Sequence, residues 1–149
     1  MNWDQLYGSA LKIKSEASWM LEKLQELEEE RKAVASPFVE ARTLVETLHS
    51  VASGEVLIEV RNLFDVLVVA PVAAPPPGSD PLPTPSVSAE RIVRILDERT
   101  RPIGEFIQEL TSTDRDGRLG MLLMAGMTGV FTATNAIAGE LAEILVGET

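Results

Sequence analysis

Residues 6–27 read LYGSALKIKSEASWMLEKLQEL. Leu6, Ala10, Ile13, Ala17, Met20, Leu24 and Leu27 are apolar and follow one another in steps of 4, 3, 4, 3, 4 and 3. That alternation puts one apolar seam along an α-helix, the pattern that builds coiled coils. Beyond Arg31 the same frame resumes at Val34, Phe38, Ala41, Val45, Leu48 and Ala52. Residues 3–35 would make a rod about 50 Å long at ~1.5 Å per residue. Ser36-Pro37 is a helix restart signal, with serine as cap and proline in the first turn. Because the frame is unbroken across the proline, it favours a kinked near-continuation, with a tight antiparallel hairpin as the alternative. Glu28 and Lys32 have the favourable i, i+4 order, and the run Glu28-Glu29-Glu30 reads as a solvated helix flank.

A second seam lies near the C-terminus. Leu123, Met127, Val130, Thr134, Ile137, Leu141 and Ile144 keep the same spacing, and beside them runs a stripe of small residues, Gly126, Gly129, Ala133 and Ala136. Small residues at helical spacing let helix backbones approach closely, in bundles and in membranes. Leu119 to Gly139 carries no charge and is about the length needed to span a bilayer. Its Thr128, Thr132 and Asn135 are weak content for a membrane span, and Glu140 and Glu143 follow at once. The reading favoured is a helix buried in a bundle, with membrane insertion of 119–139 as the rival.

Between the seams the composition changes. Residues 71–87 hold seven of the nine prolines, which bars both helix and central strand and predicts an extended strap. The chain thus divides into a heptad-patterned helical region (1–70), a proline-rich linker (71–87) and a C-terminal helical region (88–149). A role for the strap as an SH3 ligand is disfavoured, since no Arg or Lys lies between Arg61 and Arg91. Over 55–70, Leu57, Val60, Phe64 and Leu67 would share the apolar face of a helix reaching about residue 68, with a strand over 66–70 as the alternative. Ser88 is expected to cap the next helix, whose stripe is Ile92, Ile95 with Leu96, Ile103, Phe106 and Leu110. Pro102 is expected to kink or interrupt it near Thr100.

Chemistry is sparsely provided. There is no cysteine and one histidine, His49, so disulfides, thiolate nucleophiles, His/Cys metal sites and a Ser-His-Asp triad lack their parts. The loop Ser112-Thr113-Asp114-Arg115-Asp116-Gly117 has an Asp-x-Asp-Gly look, but Leu123 stands where an EF-hand needs its bidentate glutamate. It reads as a polar turn. With 23 acidic and 13 basic residues, net −10, the chain should repel nucleic acid. Arg91, Arg94, Arg99 and Arg101 are interspersed with Glu90, Asp97 and Glu98. No glycine-rich phosphate loop is present, and no cofactor or metal is expected. The N-terminus lacks the basic and apolar blocks of a secretory signal, so synthesis in the cytoplasm is expected.

These features predict an all-α protein with no enzymatic activity that self-associates. An isolated seam stays wet, so several copies are expected to bury it together. The expected oligomer interface is Leu6, Ile13, Ala17, Met20, Leu24 and Leu27 on the first helix, and Gly126, Met127, Gly129, Ala133 and Ala136 on the last. The partners are then further copies and other proteins of a larger particle, such as a virion, tail or secretion assembly. The rivals are a membrane-active protein that inserts 119–139, and an adaptor or chaperone that binds a partner helix on its Met-rich face.

Overall fold

The computed structural model describes residues 2–31, 36–69, 85–113 and 117–147, and these fold almost entirely into helix. In order they are α1 (Trp3–Arg31), α2 (Ser36–Ser53), α3 (Glu55–Phe64) with a π-helical turn continuing it over Asp65–Val69, α4 (Pro85–Thr113) and α5 (Arg118–Gly147). The chain is all-α, with no strand among the described residues. The helix expected to reach about residue 68 continues as the π-turn to Val69, in place of the alternative strand over 66–70, and most of the expected strap, residues 70–84, lies outside the described residues.

Asn2 starts α1: its Oδ1 accepts the Gln5 N–H at 3.1 Å, and its carbonyl accepts the Leu6 N–H at 3.0 Å. One orphan donor of the first turn is thereby satisfied. α2 and α3 run nearly as one helix. Gly54 separates them with φ −119° and ψ −89°, yet the bonds Gly54 N–H to Ser50 O and Ile58 N–H to Gly54 O carry the i→i−4 pattern through it. A Cβ at Gly54 would lie 3.2 Å from Ser50 O, which explains the glycine at this break. Just before it, Ser53 donates its hydroxyl to His49 O, so His49 contributes its carbonyl to the helix end while its ring is half-buried.

The buried face of α2 continues across the break, with its frame shifted by one position. Phe38, Ala41, Val45, Leu48 and Ala52 are buried, followed by Val56, Val60 and Leu63. Of the expected face Leu57, Val60, Phe64 and Leu67, Val60 is buried, Leu57 and Phe64 are half-buried and Leu67 is exposed, with Val56 and Leu63 filling the core one position earlier. α4 differs from expectation at both marked positions. It begins at Pro85, three residues before Ser88, so Ser88 is no cap. Its hydroxyl is fully buried without a hydrogen-bond partner. Pro102 lies inside α4 without interrupting it. It has no N–H for the carbonyl of Glu98, but position 98 is exposed and water can serve that carbonyl.

The helices form an antiparallel up-down-up-down bundle. Trp3, at the start of α1, packs edge-to-face on Phe64 at the end of α3, ring centroids 5.3 Å apart. Arg42 near the start of α2 pairs with Glu28 near the end of α1. α1 and α2 thus make a hairpin, and the kinked continuous rod is corrected: the heptad frame fixes which face is apolar but not which way the chain turns. Arg118 at the start of α5 pairs with Glu30 at 2.7 Å, and the Asn2 N–H donates to Glu140 at 3.1 Å. These two contacts hold α1 and α5 antiparallel. Arg91 on α4 lies 3.7 Å from Glu59 on α3. Going round the bundle, α1 packs on α2 and α3, these pack on α4, α4 on α5, and α5 back on α1, the most extensive contact.

One core fills the centre. Leu6, Ala10, Ile13, Ala17, Met20, Leu24 and Leu27 from α1 meet Leu119, Leu123, Met127, Val130, Ala133, Ile137 and Leu141 from α5, together with the seams of α2–α3 and α4. Four helical lengths each supply a stripe, so the stripes bury one another inside a single chain.

Candidate interaction surface

The residues expected to join subunits lie inside the bundle. Leu6, Ile13, Ala17, Met20, Leu24, Leu27, Met127, Gly126 and Ala133 are buried, and Gly129 and Ala136 are half-buried. The premise that one chain cannot cover its own seams therefore fails. The glycines have a local purpose. A Cβ at Gly126 would land on Cγ and Sδ of Met20, and one at Gly129 would lie 2.7 Å from Cδ of Glu16. The two glycines thus let side chains of α1 settle directly on the α5 backbone.

The opposite side of α5 is where an unusual surface appears. Met121 is 71% exposed, Met124 56% and Phe131 43%. Ala125, Thr128, Thr132, Asn135, Gly139 and Ala142 complete the outward stripe, all exposed. No charge interrupts the stripe from Leu119 to Gly139, in a chain of net charge −10 whose other helices carry charges outward.

The threonines make the stripe less polar than their letters suggest. Thr128 donates its hydroxyl to Met124 O at 2.8 Å, and Thr132 to Thr128 O at 2.9 Å. On the flank, Thr134 donates to Val130 O at 2.8 Å. Each threonine hydroxyl is engaged by its own helix, so covering this face strands no hydroxyl donor, and the Asn135 amide is the polar group a partner would have to meet. Sequence reading counted these threonines as polar, because nothing in the letters tells where a hydroxyl turns. Beside the stripe, in the groove between α1 and α5, stands Trp19, 38% exposed. With Leu122 and Arg118 it lines a cavity of about 280 Å³.

Two further clefts differ in character. One, of about 400 Å³, lies where α1 meets α3 and is walled by Trp3, Tyr7 and Phe64, with Asp4 and Arg61 at its edge. Arg61 is tied to Asp65 at 3.2 Å. The other, of about 430 Å³, lies near the α1–α2 hairpin, lined by Gln25, Glu28, Glu29, Arg42 and Glu46. There the Glu28 side chain is only 10% exposed; Arg42 holds one carboxylate oxygen, and the other has no hydrogen-bond partner. Glu28 and Glu30 are therefore inter-helix pins, and the acidic run is not simply a solvated flank. Lys32, the expected partner of Glu28, lies outside the described residues, as do Asp114 and Asp116 of the polar turn. Gly117, which ends that turn, has φ +69°, a conformation that favours glycine. Among the described residues no three His, Cys, Asp or Glu side chains are grouped to hold a metal ion.

No family model, curated protein or solved structure matches this chain.

Proposed function

We propose that this chain is a non-enzymatic helical assembly protein that self-associates, as part of a larger particle of the virion, tail or secretion kind. The contact surface is the outward face of α5. The observation that carries this reading is the exposed, charge-free stripe from Met121 to Gly139 with its threonine hydroxyls already bonded inward. A contiguous apolar face of this kind marks an interaction site on a soluble protein. Methionine suits such a contact, because its flexible thioether adapts to the surface it meets. The absence of cysteine and the single histidine fit a protein that works by contact.

The test is light-scattering mass after size exclusion, on the native chain and on Phe131→Glu. The native chain should run as a multimer and Phe131→Glu as a monomer with unchanged helicity, since position 131 lies outside the core. A native chain that stays monomeric at the highest workable concentration would overturn the reading. One observation favours a second reading, a membrane-active protein. Arg118–Leu145 is long and apolar enough to cross a bilayer, with mean hydropathy 1.4 and only 33% of its most apolar stretch buried. Flotation with vesicles by a chain that is monomeric without them would select that reading.

A further inference from the structure

We infer that two copies pair through α5 antiparallel to each other, about a two-fold axis that passes close to Phe131. This rests on the self-association proposed above and adds to it a geometry. The first observation is the distribution of size along the stripe. Its bulky members Met121, Met124 and Phe131 occupy the first half and the middle, with Ala125 between them, whereas from Ala138 at the flank through Gly139 to Ala142 the members are small, until Leu145 closes the far end. Laid antiparallel about residue 131, Met121 of one copy meets the neighbourhood of Ala142 in the other. Met124 meets Ala138 and Gly139, and Thr128 meets Asn135. Met121 and Met124 thus face small side chains, as close packing favours, while the two Phe131 rings meet each other at the axis. A parallel pairing would set Met121 on Met121 and Gly139 on Gly139, crowding one end and leaving a void at the other.

The second observation is charge. The stripe begins at Arg118 and ends at Glu143, both exposed, with Glu140 beside it. The midpoint of Arg118 and Glu143 falls between Val130 and Phe131. The antiparallel pair brings the positive end of each stripe to the negative end of the other and opposes the two helix dipoles. The parallel pair would bring Glu140 and Glu143 against their own copies. Arg118 already touches Glu30, but that pair is more than half exposed on both sides, so it is easily exchanged. An isologous two-fold contact of this kind closes on itself.

Area sets the strength. A stripe of 28 residues is about 42 Å long, and one helix face about 10 Å wide gives on the order of 400 Å² of projected contact. A standard interface buries about 800 Å² per partner. Even with Trp19 contributing from the adjoining groove, the pair should be reversible and dissociate on dilution.

The chain has no native cysteine, so single spin labels can be placed at will. Met121→Cys and Thr132→Cys, labelled with a nitroxide and studied by pulsed dipolar spectroscopy, separate the arrangements. In the antiparallel pair, labels at 121 lie about 30 Å apart along the axis and labels at 132 lie side by side. Equally short distances at both positions, in a sample that scatters as a dimer, would overturn the geometry and leave self-association standing. Absence of any intermolecular distance, with monomer mass in scattering, would overturn both. A long distance at 121 with a short one at 132 is the expected result.

Discussion

Gly126 is the position where the packing of α1 on α5 is most open to challenge. Replacing it by alanine in an isolated helix would stabilise by about 1 kcal/mol, because alanine loses less backbone freedom. In this bundle the added methyl would land on the side chain of Met20. Met20 is wholly buried and would have to shift within the core, so overpacking of about 1–3 kcal/mol opposes the gain. Gly126→Ala should therefore be neutral to destabilising by up to about 2 kcal/mol. Gly8, exposed in α1 with nothing within 4 Å of an added Cβ, is the control. Gly8→Ala should stabilise by about 0.5–1 kcal/mol. Urea denaturation followed by circular dichroism at low protein concentration reads both. At this chain length each kcal/mol also moves the thermal midpoint by about 2–4 °C. The double variant sharpens the test. In a Met20→Ala background the methyl has room, and Gly126→Ala should become stabilising, a coupling that a mutant cycle isolates. If Gly126→Ala alone raises stability as much as Gly8→Ala does, α1 and α5 do not approach at this point and the argument fails.

Leu24→Asp should abolish cooperative unfolding, since it places an unpaired charge in a fully buried site; retention of native near-UV ellipticity would contradict the buried seam. Arg42→Met should cost about 1–3 kcal/mol, because it leaves the nine-tenths-buried Glu28 carboxylate unpaired. Adding Glu28→Gln should recover part of that loss in a denaturant titration. Ser88→Ala should be neutral or stabilise by up to about 1 kcal/mol, since it removes a buried hydroxyl that has no partner. A loss above 1 kcal/mol in the same assay would mean that the hydroxyl is satisfied in solution.

Much of the core was legible in the letters. Every apolar seam position from Leu6 to Leu27, and from Phe38 to Ala52, is buried, because a 3.5-residue repeat leaves one face no alternative. The path between seams was not legible. The frame across Ser36-Pro37 fits a rod and a hairpin equally, and long-range pairs such as Trp3 with Phe64 decide it. Ser88 looked like a cap because serine favours that place, but packing drew three more residues into α4 and buried its hydroxyl. Gly126 and Gly129 announced a close helix approach correctly. Which helix approaches was beyond the pattern, since Met20 and Glu16 lie more than a hundred residues away in sequence. The outward stripe of α5 was visible as a run without charge, but its orientation depended on the neighbours that cover the other side.

The antiparallel order of helices has a consequence for how the molecule can be divided. All buried apolar residues among those described lie between Leu6 and Leu63 or between Ala89 and Leu141. The bundle is thus two complementary hairpins, α1 with α2–α3 and α4 with α5, that meet along their seams and are tied through residues 70–84. Because the two hairpins belong to one chain, each meets its partner at a local concentration above that of a free second copy. Trading a hairpin with a second copy would leave every core contact intact and give up only that local concentration. Dilution therefore favours the closed chain, and high concentration favours exchange of a hairpin between copies.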